Sequence, residues 1–158
     1  MALSFTVVIN VRHQFGDTDQ NIGVFAGRSA NFSFGCPSVS SDQALLLFQS
    51  RGVGAEQVLE VNGVPVFGGI PETDVIRGVT GLASSSPVEL QHNHSVSAVS
   101  LGWAGNVMLI NQGVLRDADN VLRIASQGDD FIVDNAVILF KTRRNGPVVV
   151  RAVENDHP

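Results

Sequence analysis

Apolar and polar residues alternate with a period of two along most of the chain, and helical spacing of apolar residues is nearly absent. Leu3 to Val11 reads as a first strand, with Phe5, Val7 and Ile9 on one face and Thr6, Val8 and Asn10 on the other. The polar segment His13 to Asn21 reads as a loop. Ile22 to Phe25 and Ser29 to Phe34 are two short runs joined at Ala26-Gly27-Arg28, and a Ser-rich turn covers Cys36 to Asp42. Gln43 to Arg51 (QALLLFQSR) is a near-continuous apolar run, the pattern of a central strand buried on both faces. Val58 to Val61 and Val64 to Phe67 flank Asn62-Gly63, the leading signature of a two-residue type I′ hairpin. Both central residues of that turn need positive φ, which Asn and Gly tolerate best. Val88 to Leu101, Val107 to Ile110, Val121 to Ala125, Phe131 to Thr142 and Val148 to Val153 complete the strand set.

About ten short strands separated by turn signals predict an all-β fold: a two-sheet antiparallel β-sandwich of the jelly-roll type with little or no helix. The stretch Gly68 to Pro87 (GGIPETDVIRGVTGLASSSP) is long for a connection inside a compact domain, and such connections are usually lids or docked loops. With no internal repeat and no boundary signal, residues 1–153 read as a single domain and 154–158 as a frayed polar tail. A chain of 158 residues buries roughly 68–70% of its unfolded surface and can hold a core without staples.

Composition narrows the function classes. Hydrophobic residues at 44% and charged residues at 16% exclude a disordered chain. A net charge of −5 argues against nucleic acid as a partner, which would need clustered Lys and Arg. The basic cluster Lys141-Thr142-Arg143-Arg144 sits at a strand end and reads as solvated. The single cysteine, Cys36, cannot form an internal disulfide, so the fold does not depend on an oxidising compartment. The N-terminus MALSFTVVINVRH alternates and lacks a basic n-region, which makes it a strand and not a classical signal peptide. No run approaches the roughly 20 apolar residues of a membrane-spanning helix. The expectation is a soluble chain with no membrane partner, cytoplasmic or exported without a classical signal.

Two segments, VLEVNGVPVF from Val58 to Phe67 and WAGNVMLINQGVLRDADNVLRIA from Trp103 to Ala125, carry a resemblance. Through Asn62-Gly63, Trp103, Leu115, Asn120, Leu122 and Ile124 the chain resembles the galactose-binding-like jelly-roll domains, with Asp119 standing where those domains carry Gly. The resemblance implies the sandwich. For function it implies a range: sugar-binding modules, accessory domains of glycoside hydrolases, and pure interaction modules. Asn120 itself reads as structural, because a short amide can bond nearby backbone and hold the corner.

The candidate chemistry is sparse. Asp129, Asp130 and Asp134 supply carboxylates of the kind a structural Ca²⁺ takes, though turn chemistry explains them as well. His92 and His94 are spaced i, i+2 on one strand face, as in a metal site, but no carboxylate follows closely. No Gly-x-Ser-x-Gly elbow is present. Trp103, between Gly102 and Ala104-Gly105, is the candidate stacking platform for a sugar ring, with Asn106, His92, His94, Asp74 and Arg77 as polar contacts. The first reading is a non-catalytic module that binds a carbohydrate or other small polar ligand at a loop edge, without a cofactor beyond that structural Ca²⁺. The alternative is a structural protein whose sheet face forms a homo-oligomer, to which low charge and the apolar Val64 to Ile70 segment contribute. A metal-dependent enzyme using His92 and His94 comes third.

Overall fold

A computed structural model describes residues 2–54, 56–66, 69–70, 94–98 and 103–143, with backbone only for 94–98. It contains the strands β1 (Leu3–Ile9), β2 (His13–Phe15), β3 (Val24–Gly27), β4 (Ser29–Phe34), β5 (Ala44–Arg51) and β6 (Val58–Val61). The remainder are β7 (Val64–Pro65), β8 (His94–Ala98), β9 (Trp103–Ile110), β10 (Asn120–Ala125) and β11 (Phe131–Lys141). They form two sheets. The larger has seven strands in the order β3-β2-β11-β5-β9-β8, with β1 also pairing to β11, and the smaller runs β4-β10-β6-β7. The fold is therefore an all-β two-sheet sandwich. All pairs are antiparallel except β2 with β3, which run parallel.

The two inner faces meet in one core. Leu46, Phe48, Met108, Ile110, Ile138 and Phe140 come from the large sheet, and Phe34, Leu59, Val61, Leu122 and Ile124 from the small one. Each such side chain contributes roughly 1.5–3 kcal/mol by leaving water. Cys36 is buried in this core.

Three expectations change. The segment from His13 is not wholly loop, because His13–Phe15 pairs with Val133–Phe131 and places Phe15 against Phe131, ring centroids 5.2 Å apart. In β1 the core face carries Ser4 and Thr6, while Phe5 and Val7 point outward. Ile9 still reaches the core, since a β-bulge after Val7 sets two residues against one on β11 and reverses the alternation. In β5 the apolar run lies at the centre of the large sheet, as expected, but only one of its faces is buried. The expected strand at Val148 to Val153 and most of the long 68–87 stretch lie outside the described residues.

The hairpin forms as its sequence requires, with φ of 53° at Asn62 and 79° at Gly63. Its asparagine does more than turn the chain. The Asn62 amide donates to Val114 O at 2.7 Å and to Asn120 Oδ1 at 2.9 Å, and its own carbonyl accepts from Val121 N at 2.8 Å. Asn120, fully buried, donates to Arg116 O at 2.7 Å and accepts from Arg116 N at 2.8 Å. Asn62 and Asn120 thus form one clasp between β6, β10 and the 114–120 corner. Asp119 completes the corner with φ of 59°, a left-handed conformation that costs an L side chain roughly 1 kcal/mol. Asp119→Gly is expected to stabilise the fold by a few tenths to about 1 kcal/mol, less the entropy Gly adds to the unfolded chain. Chemical denaturation measures this, and a loss of stability would refute the strain account.

Candidate functional site

Strand alternation gives each sheet an outer face, and in a sandwich that face is ordinarily polar. The small sheet largely obeys. Its outer face carries Asn31, Ser33, Arg123 and Glu60, with Arg123 and Glu60 paired at 3.3 Å, beside partly exposed Val58 and Val121. The large sheet does not. Register places Val7, Val137, Leu47 and Val107 in one row across β1, β11, β5 and β9, and Phe5, Leu139, Leu45 and Leu109 in the next. All eight are partly or openly exposed; Val7 keeps 40% and Leu45 38% of its surface. Leu3, 61% exposed, continues the strip at its edge. Two shallow depressions open on it. One of about 380 Å³ is lined by Leu3, Leu45, Leu109 and Leu139 among others. The other, of about 420 Å³, lies over Leu47, Gly105 and Val107.

Charged groups stand at the two ends of this strip. Lys141 Nζ lies 3.9 Å from Asp42 at one end. At the other, Arg12 reaches Asp134 at 3.5 Å and lays its guanidinium over the Trp103 ring, 4.9 Å from the centroid. A cation–π contact at a half-exposed site of this kind adds about 0.5–1 kcal/mol. Trp103 is therefore partly buried, with one ring face occupied by Arg12. Arg51 is the neighbour of Trp103 in register. Beyond them the sheet is covered: Gln14 is buried, its amide donating to Asp19 Oδ1 at 3.1 Å and its carbonyl accepting from Gln20 N at 2.7 Å.

The polar set named with Trp103 does not gather around it among the described residues. Asn106 lies on the opposite face of β9, 2% exposed, and donates to Ser50 Oγ at 2.9 Å inside the core. His94 opens β8 opposite Val107 in register. Asp74, Arg77 and His92 lie outside the described residues.

The three carboxylates go separate ways. Asp129 accepts from Gly54 N at 2.8 Å and Gln57 Nε2 at 3.2 Å, Asp130 accepts from Asp17 N at 2.8 Å and Thr18 N at 3.3 Å, and Asp134 pairs with Arg12. They tie loops to the end of β11, and among the described residues no group of three acidic, His or Cys side chains converges as a metal site would. Asp17 in turn is bonded by Arg28, and that hydrogen bond holds its carboxyl below the usual range and the guanidinium above its own.

Of the basic cluster, Lys141 pairs with Asp42 and Arg143 with Asp117, and Arg144 lies outside the described residues. Of the apolar Val64 to Ile70 segment, Val66 and Ile70 are core residues and Val64 is exposed, while Phe67 and Gly68 lie outside the described residues.

No protein-family model matches the chain, and no curated protein matches it significantly. The outer-face residues were not singled out by chemistry, since none is reactive. Their sequence signal is three runs apolar at consecutive positions, Ala44 to Phe48, Val107 to Ile110 and Ala136 to Phe140, each apolar on both faces of its strand.

Proposed function

We propose that this chain is a non-catalytic interaction module whose working surface is the outer face of the seven-stranded sheet, docking against an apolar surface of another protein. The observation that carries the reading is the difference between the two outer faces of the sandwich. One is mostly polar, with Val58 and Val121 among Asn, Ser, Arg and Glu, and the other sets two whole cross-strand rows of Val, Leu and Phe partly or openly exposed. Contiguous exposed apolar patches beyond a few hundred Å² are rare on monomers and mark interaction sites. The resemblance to galactose-binding-like domains is compatible with this, since those domains include pure interaction modules. A sugar site at Trp103 finds less support, because Arg12 stands on the ring and Asn106 points away from it.

The reading is tested with the dye anilinonaphthalene sulfonate, which reports exposed apolar surface, together with sedimentation. Wild-type protein is expected to bind the dye in its folded state, to associate, or to do both. Val7→Lys with Leu45→Lys is expected to abolish both while leaving the melting temperature within a few degrees, since both side chains already face solvent. A folded wild type that neither binds dye nor associates would remove the reading.

A further inference from the structure

Resting on that reading, we infer that the occupant of the face is a second copy of this chain, stacked sheet against sheet about a two-fold axis. Three features support a self-partner. The first is area. Four strands about 4.8 Å apart and about 26 Å long give a flat footprint on the order of 500 Å². Two copies meeting there would bury on the order of 1,000 Å² in total, the size of a weak, concentration-dependent interface.

The second is charge. The chain carries −5, which opposes self-association through most surfaces. On this face the described charges are Lys141, Arg12 and Arg51 against Asp42 and Asp134, near balance, with a cation and an anion at each end. Two copies meeting on this face therefore bring together no excess of negative charge. The third is shape. Val and Leu in adjacent rows make a corrugated surface, and two sheets pack about 10 Å apart when such rows interdigitate. An isologous contact needs a self-complementary patch, and a strip apolar along its middle with mixed charge at both ends is one.

Sedimentation velocity of the purified full chain over a hundredfold concentration range tests this. The expected result is a weight-average mass rising from 16.8 kDa toward twice that value, and a monomer throughout for Val7→Lys with Leu45→Lys. Ser33→Lys, on the polar outer face of the small sheet, is expected to associate as wild type. Should the lysine pair fail to fold, Val7→Thr with Leu45→Thr places β-branched residues of high strand propensity at both positions and is expected to weaken association at least tenfold. A wild type that stays monomeric yet binds the dye overturns the second copy and leaves the docking face standing. A wild type that stays monomeric and binds no dye overturns both. Association that survives the lysine pair overturns the assignment of the interface to this face.

Discussion

Asn120→Ala is expected to lower the unfolding free energy by about 3–4 kcal/mol and the melting temperature by roughly 10 °C. Asn120 has no exposed surface, and its amide holds Arg116 at both backbone atoms while meeting Asn62 from the neighbouring hairpin. Alanine removes these bonds and supplies no replacement for the partners. The net value of a satisfied bond is near 1 kcal/mol, but a buried group left unsatisfied costs more. Asn120→Asp is expected to fail as a rescue, because it places an acceptor where the native amide donates to the carbonyls of Arg116 and Phe34. A double-mutant cycle with Asn62→Ala should return a coupling of about 1 kcal/mol or more. Additive losses would mean the two amides act independently and the clasp is not a unit.

Gly16→Ala is expected to cost about 3 kcal/mol. Gly16 has φ of 125°, and a Cβ built there would overlap Asp130 Oδ1 and lie 2.8 Å from the backbone oxygen of Asp129. That carboxylate oxygen is the one that accepts from Asp17 N and Thr18 N, so a side chain must either strain the backbone or push away the group that anchors the loop. Gly27→Ala separates the two contributions. Gly27 also has positive φ, 74°, but nothing within 4 Å of its Cβ position, so only the conformational cost of roughly 1 kcal/mol applies. Denaturant midpoints for the two variants, compared at equal slope, provide the test. Equal losses would show that the close approach to Asp130 carries no energy.

What was legible in the sequence was local. The Asn62-Gly63 turn needs two residues with positive φ in succession, and only a few dipeptides allow it, so the hairpin could be read from two letters. The strands could be read because side chains alternate by residue and one face must leave water. The strip on β5 was half legible: the run told of two apolar faces, and burial of both was the natural expectation. Its exposure was not legible, because the sequence does not say what a second layer would be made of.

The rest depended on groups far apart in sequence. Arg12 lies on Trp103, and Asp130 anchors residues 17 and 18, only because β2 and β11 are neighbours. Bulges in β1 and β11 shift the alternation by one residue, which moves Ile9 to the core and brings Asp134 and Val137 to the same outer face; a period-two pattern has no mark for such a shift. Asn106 looked like a ligand contact because it follows Trp103 closely, yet an odd separation along a strand sends it to the other side. The sequence alone determined that strands form, where they turn, and that each has an apolar side, since these follow from neighbouring residues. Which sides face each other and which face is left open were decided by the packing of the two sheets, because that choice is made between strands that the chain itself keeps far apart.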